Sequence, residues 1–429
     1  MRQSMLVRRF ACRKALLAGA RAGLVTCLVT GMVTGVVAMA TLVTGGPAAL
    51  AAPAPAAGTR FDPMSVTFVT LSTGWALGAV PCARSGECLA LRQTTDAGRN
   101  WSARPLPAAL LAEADRKVAG VVAFAVGQCC GSGLNVRFAD RRDGWVYGGL
   151  TGPASQPMTE SLQPTLWSTH DGGSTWQQQH LFPKLVNDFP VFDLEAAAGH
   201  VYAMVPYETA GAIIESSPVN ADHWRVSSLT ALSGPAGGSQ PSGGIVLQGT
   251  SGWAVYGNDR GVDGSARLDS QGQWASWSPP CASVGNSFAL PAASTSKDLV
   301  AVCSMGGFAY PLPKSAPPGA IWGSSWLYFS DNGGKTFQAG PELGAKGSFG
   351  DVLASPSPGI IVVSRDYENA GLEASFDGGH HWAVVYRGSL FYLGFTSPTQ
   401  GVGLVQSSST TTSMIMTFDG GRHWSPVTF

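Results

Sequence analysis

Charge is scarce in this chain: Asp, Glu, Lys and Arg together make up 13% of its 429 residues. No dense basic patterning of the kind that tracks a phosphate backbone is present, which argues against nucleic acid as a partner. Paired CxxC motifs are missing and no histidines stand beside the cysteines, so the usual zinc frames are excluded, and neither a metal nor a cofactor is expected. What the chain has in quantity is glycine, 55 residues, alongside much Ser and Thr, a turn-rich composition of extracellular character. Its length suits one large all-β architecture.

The N-terminus departs from that pattern. Residues 1–51 carry Arg2, Arg8, Arg9, Arg13, Lys14 and Arg21 and no acidic residue; an apolar run from Ala22 to Val43 leads to the small-residue site Ala49-Leu50-Ala51. That order makes an export signal peptide. The run also matches the roughly 20 residues that cross a bilayer, so an uncleaved anchor helix is the alternative. Both place the body, after a linker over 52–61, outside the cytoplasm, either secreted or held at the membrane by residues 22–43. Without residues 1–51 the basic residues fall from 27 to 21 against 27 acidic ones, a net charge of −6.

Six cysteines remain beyond the leader. Spacing pairs Cys82 with Cys88 across a loop and Cys281 with Cys303 across neighbouring strands. Adjacent Cys129 and Cys130 either close a vicinal disulfide or each take another partner.

One octapeptide frame, Ser/Thr-x-Asp-x-Gly-x-x-Trp, recurs. Its good copies are TTDAGRNW (94–101), THDGGSTW (169–176), SDNGGKTF (330–337), SFDGGHHW (375–382) and TFDGGRHW (417–424). Worn copies are SPVNADHW (217–224) and LDSQGQW (268–274). Aromatic-to-aromatic steps of 75, 48, 50, 63, 45 and 42 residues mark a repeat of the propeller type. A second signal precedes several copies: STGWALG (72–78), RDGWVYGG (142–149), TSGWAVYG (250–257) and the weaker TQGVGLV (399–405). Short β-rich runs flank both signals and predict four strands per unit. The units fall at roughly 62–108, 119–183, 188–232, 243–283, 286–342, 346–387 and 388–429, which predicts an all-β, seven-bladed β-propeller of four-stranded antiparallel blades over 62–429.

The octapeptide resembles the Asp-box, or BNR repeat. Together with the upstream Gly-Trp signal it is similar to the propellers of the photosystem II assembly factor family, and sortilin-type receptors, xyloglucanases and sialidases carry the box as well. The resemblance covers nearly all of 62–429 and implies the fold; because the motif recurs in receptors, hydrolases and scaffolds, it does not single out a function. Within each copy the aspartate is expected to accept backbone amides one or two residues on while the glycine supplies a positive φ. Asp96, Gly98 and Trp101, Asp171, Gly173 and Trp176, Asn332, Gly334 and Phe337, Asp377, Gly379 and Trp382, and Asp419, Gly421 and Trp424 are therefore structural. His170, His380, His381 and His423 sit at variable positions and are expected to be exposed turn residues. No catalytic residue is assigned.

Such boxes imply ligand loops on the opposite face, between second and third strands and at blade connections. Candidate binding residues there are Arg84, Tyr207, Glu208, Asp259, Arg260, Asp263, Arg365, Asp366, Tyr367 and Glu368. SRDYENAG (364–371) gathers Arg, Asp, Tyr and Glu where charge is otherwise rare. A guanidinium can fork to a carboxylate and a tyrosine can stack on a sugar or peptide. The alternative is a solvated hairpin tip with an internal Arg–Asp pair. Elsewhere, residues 107–120 read as a short helix, 233–244 as a linker and 310–319 as a Pro-rich loop.

Two functions fit. The preferred one is a non-enzymatic binding or assembly protein whose partner is a protein or a glycan. The other is a glycoside hydrolase with paired carboxylates at the channel mouth; the Arg-Ile-Pro motif of sialidases is absent, and RFDP (60–63) does not replace it.

Overall fold

The computed structural model describes residues 60–82, 86–117, 133–150, 163–181, 191–207, 211–228, 242–258, 261–280, 291–304, 325–343, 349–365, 371–408 and 411–429. Outside them lie the expected leader and most of the 52–61 linker, Cys129, Cys130 and Cys281, and the candidates Arg84, Glu208, Asp259, Arg260, Asp366, Tyr367 and Glu368.

Seven antiparallel sheets of four strands each follow one another along the chain, making a seven-bladed β-propeller. Blade one is β1 (Asp62–Phe68), β2 (Gly74–Cys82), β3 (Gly86–Thr94) and β4 (Ser102–Arg104); α1 (Ala108–Lys117) comes next. Blade two is β5 (Leu134–Phe138), β6 (Gly144–Leu150), β7 (Gln163–Thr169) and β8 (Gln177–Gln178). Blade three is β9 (Asp193–Ala197), β10 (His200–Tyr207), β11 (Gly211–Pro218) and β12 (Arg225–Ser228). Blade four comprises β13 (Ser242–Gln248), β14 (Ser251–Asn258), β15 (Gly261–Leu268) and β16 (Trp274–Ser276). Blade five comprises β17 (Ala292–Ala293), β18 (Leu299–Ser304), β19 (Ser325–Ser330) and β20 (Gln338–Glu342). Blade six holds β21 (Phe349–Ala354), β22 (Ile361–Arg365), β23 (Gly371–Ser375) and β24 (Ala383–Arg387); blade seven holds β25 (Ser389–Phe395), β26 (Gly401–Gln406), β27 (Thr412–Thr417) and β28 (Ser425–Val427).

The first strands of successive blades touch one another and so lie innermost. Strand periodicity then sends alternate residues into opposite seams. On β5, Leu134, Val136 and Phe138 are buried against blade one, while Asn135 and Arg137 stay half-buried. The seams are filled by large side chains from the second strands: Trp75, Trp145 and Trp253 are completely buried. Trp75 stacks on Phe138 of the next blade, ring centroids 3.8 Å apart and 5° from parallel. Burial on this scale, not hydrogen bonding, supplies most of the stability of such a packed pair. On α1, Leu110 and Ala114, four residues apart on one face, are buried in the same cluster.

Ring closure needs no shared strand, because the first and last sheets each take all four strands from consecutive chain. Side chains hold that seam instead. Thr412 donates its hydroxyl to the Pro63 carbonyl at 2.7 Å and its amide to Asp62 Oδ1 at 3.3 Å, and Phe61 packs on Phe429 with centroids 4.4 Å apart. Cys82 and Cys88 are joined by a disulfide across the loop between β2 and β3. Cys303 is disulfide-bonded too; Cys281, the partner expected for it, lies outside the described residues.

Candidate functional site

The octapeptide turns all join third to fourth strands, and each of the five good copies is tied to the hairpin between the first and second strands of its own blade, as where the Gly172 amide donates to Arg142 O at 2.8 Å. In blade two, Asp171 Oδ1 accepts the Thr169 hydroxyl (2.9 Å) and the amides of Ser174 (2.9 Å) and Thr175 (2.8 Å), while Oδ2 accepts the Thr175 hydroxyl at 2.6 Å. The amides captured lie three and four residues on, rather than one or two, because Gly172 and Gly173 swing the chain through φ of 75° and 89° before it turns back. The same capture recurs: Asp96 holds the Asn100 amide (2.9 Å), Asn332 that of Thr336 (3.0 Å), Asp377 that of His381 (2.9 Å), and Asp419 those of Arg422 and His423 (both 3.0 Å).

These bonds favour the ionised carboxylates. Hydrogen bonds from Asn100 lower Asp96 to about 2. Asp171 and Asp419 bear a desolvation cost, but donors from Thr175 and His423 outweigh it and lower both to about 2. The tryptophans brace the same turns, with Trp101, Trp382 and Trp424 donating Nε1 to the carbonyls of Gly98, Gly379 and Gly421 at 3.0–3.1 Å. Trp176 differs, reaching Pro105 O at 3.0 Å. His381 and His423 are 90% and 87% exposed and touch only their own turn aspartates among the described contacts.

His170 is the exception to the exposed-turn reading. Its side chain is 35% exposed and bridges two blades, Nδ1 lying 2.6 Å from Asp143 Oδ1 and Nε2 3.2 Å from Asp222 Oδ2. Asp222 belongs to the worn octapeptide of blade three, and its Oδ2 also accepts Ser168 Oγ (2.8 Å) and Gln179 Nε2 (2.7 Å). Burial works against the imidazolium, yet the bonds to Asp143 and Asp222 prevail and raise its pKa.

On the opposite end, Arg365 ends β22 and pairs with Glu373 Oε2 on β23 at 2.8 Å; the Arg–Asp pair expected at this hairpin tip involves Asp366, which lies outside the described residues. Tyr207 ends β10 opposite Gly211, and Asp263 on β15 has its carboxyl pushed up by burial near Tyr256. These three stand on three different blades; the rest of the candidate loop residues lie outside the described residues.

A polar cluster unmarked by any motif lies among the innermost strands. Arg137 of β5 pairs with Glu195 of β9 and donates Nε to Leu194 O at 3.4 Å. Tyr147 donates to Asp193 Oδ1 at 3.2 Å, and the Ile245 amide of blade four donates to Asp193 Oδ2 at 2.8 Å. Burial, with Asp193 adding to it, raises Glu195 to about 7 despite Arg137. Arg137 and Glu195 keep 19% and 24% of their side-chain surface exposed, so this carboxyl is both perturbed and reachable. In sequence, LNVRF and DLEAA look like ordinary alternating strands; a charged residue in a half-buried position was the only available signal. Among the described residues no group of His, Cys, Asp and Glu is placed to hold a metal ion.

No family model matches the chain, and no curated protein matches its sequence. Solved structures are similar in fold. YCF48 bound to D1 peptide aligns at 19% identity and TM-score 0.48 over 84% of this chain and 94% of that one. An ulvan lyase of a polysaccharide lyase family aligns at 12% identity and TM-score 0.50 over 86% and 96%. The BP39L lectin from Burkholderia pseudomallei aligns at 12% and 0.49 over 86% and 99%. At these identities the likeness concerns the fold alone.

Proposed function

We propose that the chain is an exported, non-enzymatic binding or assembly protein that offers a protein or glycan partner the loops opposite the octapeptide turns. The observation behind this reading is that the repeated Asp and Asn side chains serve their own turns: each of the five good copies accepts an amide within its own octapeptide. In this reading the turns are Asp-boxes that rigidify one face, leaving the other to carry recognition. The Cys82–Cys88 disulfide stiffens the first loop of that other face. Arg84, Tyr207, Glu208, Asp259, Arg260, Asp263, Arg365, Asp366, Tyr367 and Glu368 are the proposed contacts, with the leader delivering the body to the extracytoplasmic side.

Glu195 favours a second reading, glycoside hydrolysis, because a carboxyl raised to about 7 beside another carboxylate suits a general acid. The test is paired. The purified protein is assayed on fluorogenic sialosides and β-glucans, and its capture of partners from envelope extracts is compared with that of an Asp366→Asn/Tyr367→Ala variant. Capture that weakens in the variant, without turnover, is the expected result; turnover abolished by Glu195→Gln replaces the binding reading with the hydrolase.

A further inference from the structure

The strand registers make the seven seams directly comparable. In each blade the residue opposite the first position of the octapeptide is fixed by pairing, as Gly74 faces Thr94 in blade one and Leu299 faces Ser330 in blade five. The next residue on the second strand enters the following seam; there it meets the end of the next blade's first strand, as Trp75 meets Phe138. Going round the ring, these two positions are Trp75 and Phe138, Trp145 and Ala196, Tyr202 and Leu247, Trp253 and Ala293. The remaining seams have Val300 and Ser355, the residue that follows β21, whose last pairing is Ala354 with Val362; then Val362 and Phe395, and Val402 and Phe68. At these two positions six seams keep at least one aromatic ring; the seam between blades five and six has none there, its rings, Phe329 and Trp382, coming from β19 and from the turn after β23.

At that seam a cleft of about 180 Å³ opens on the turn face, and Val300 and Ser355 both line it. Phe329, Leu299 and Ile361 make its apolar wall, and the two charged residues at its edge, Asp298 and Asp331, are both acidic. Leu299, Val300 and Ile361 are almost wholly buried at the cleft, while Phe329 keeps part of its ring uncovered, and surface that faces a void forfeits dispersion contacts until something occupies it. We propose that this cleft receives an aromatic side chain, adjacent to a basic residue, from a partner polypeptide. The site lies at the opposite end of the blades from the loops of the proposed function and stands or falls separately from them. The ring takes the place of the missing indole against Phe329, and the neighbouring cation meets Asp298 and Asp331.

Calorimetric titration of the full chain with N-acetyl-Trp-Lys-amide tests this. Saturable binding is expected, at least tenfold tighter than for N-acetyl-Ala-Lys-amide, in line with burial of one ring. Val300→Trp, which restores the seam's indole, should abolish binding while raising the unfolding midpoint. Asp298→Asn/Asp331→Asn leaves the packing intact and should weaken binding several-fold, so it reports even if Val300→Trp does not fold. Absence of saturable binding, equal affinity for the alanine peptide, undiminished binding in folded Val300→Trp, unchanged affinity in the Asn variant, or displacement by a methyl hexoside would each overturn the proposal.

Discussion

Two seams of the ring show what the octapeptide does when it is intact and what happens when it erodes. Between blades four and five, buried Trp253 donates Nε1 to the carbonyl of Gly333, the first glycine of the intact turn SDNGGKTF, at 3.1 Å. Between blades two and three the equivalent Trp145 is just as buried, but the worn copy SPVNADHW has no glycine pair, and Trp145 Nε1 has no partner among the described residues. A buried donor left unpaired costs on the order of 1–3 kcal/mol. The same seam carries the His170 bridge between Asp143 and Asp222, absent from the others among the described contacts. Where the turn lost its glycines, it gained an aspartate that ties the two blades by charge.

The largest test of this comparison is truncation. Trp253→Ala and Trp145→Ala should each cost about 3–5 kcal/mol, measured by urea unfolding, because both indoles are wholly buried. A sharper contrast comes from phenylalanine. Trp253→Phe strands the Gly333 carbonyl and should cost about 1 kcal/mol more than Trp145→Phe, which removes a donor that had no acceptor. Equal costs would mean that the indole–carbonyl bond contributes nothing.

Smaller effects should come from the bridge. His170→Gln keeps a polar group but loses the charge. Because the folded pKa of His170 is raised, its contribution is complete below the ordinary histidine value of about 6.5 and fades as pH rises through the folded value. The gap between wild type and His170→Gln should therefore narrow from pH 5.5 to pH 8; a gap independent of pH would show that the bridge acts by packing. Smallest of all, His381→Ala should leave stability nearly unchanged, since that ring is 90% exposed.

The fold was legible because repetition multiplied a weak local signal: each octapeptide is a turn, and several at steps of 42 to 75 residues can only be blades. The seam chemistry was not. His170 occupies a variable position, and its partners lie 27 and 52 residues away, a separation that local reading cannot bridge. Arg137, Asp193 and Glu195 were missed for the same reason: each looks like a solvent-facing strand residue until the blades close around it. Leu299-Val300 in place of Gly-Trp was visible in the letters, yet its meaning depends on Ser355 arriving at the same cleft, which only the folded chain establishes.

The central claim is that the recurring aspartates brace their own turns. Carboxyl NMR titration of the folded protein tests it most directly. Asp96, Asp171 and Asp419 should titrate near about 2, below the ordinary value of about 3.9, so that their contribution to stability is present above pH 4 and lost as pH falls toward 2. Values at or above 3.9 would contradict the claim and return these carboxylates to the list of groups free to act on a ligand.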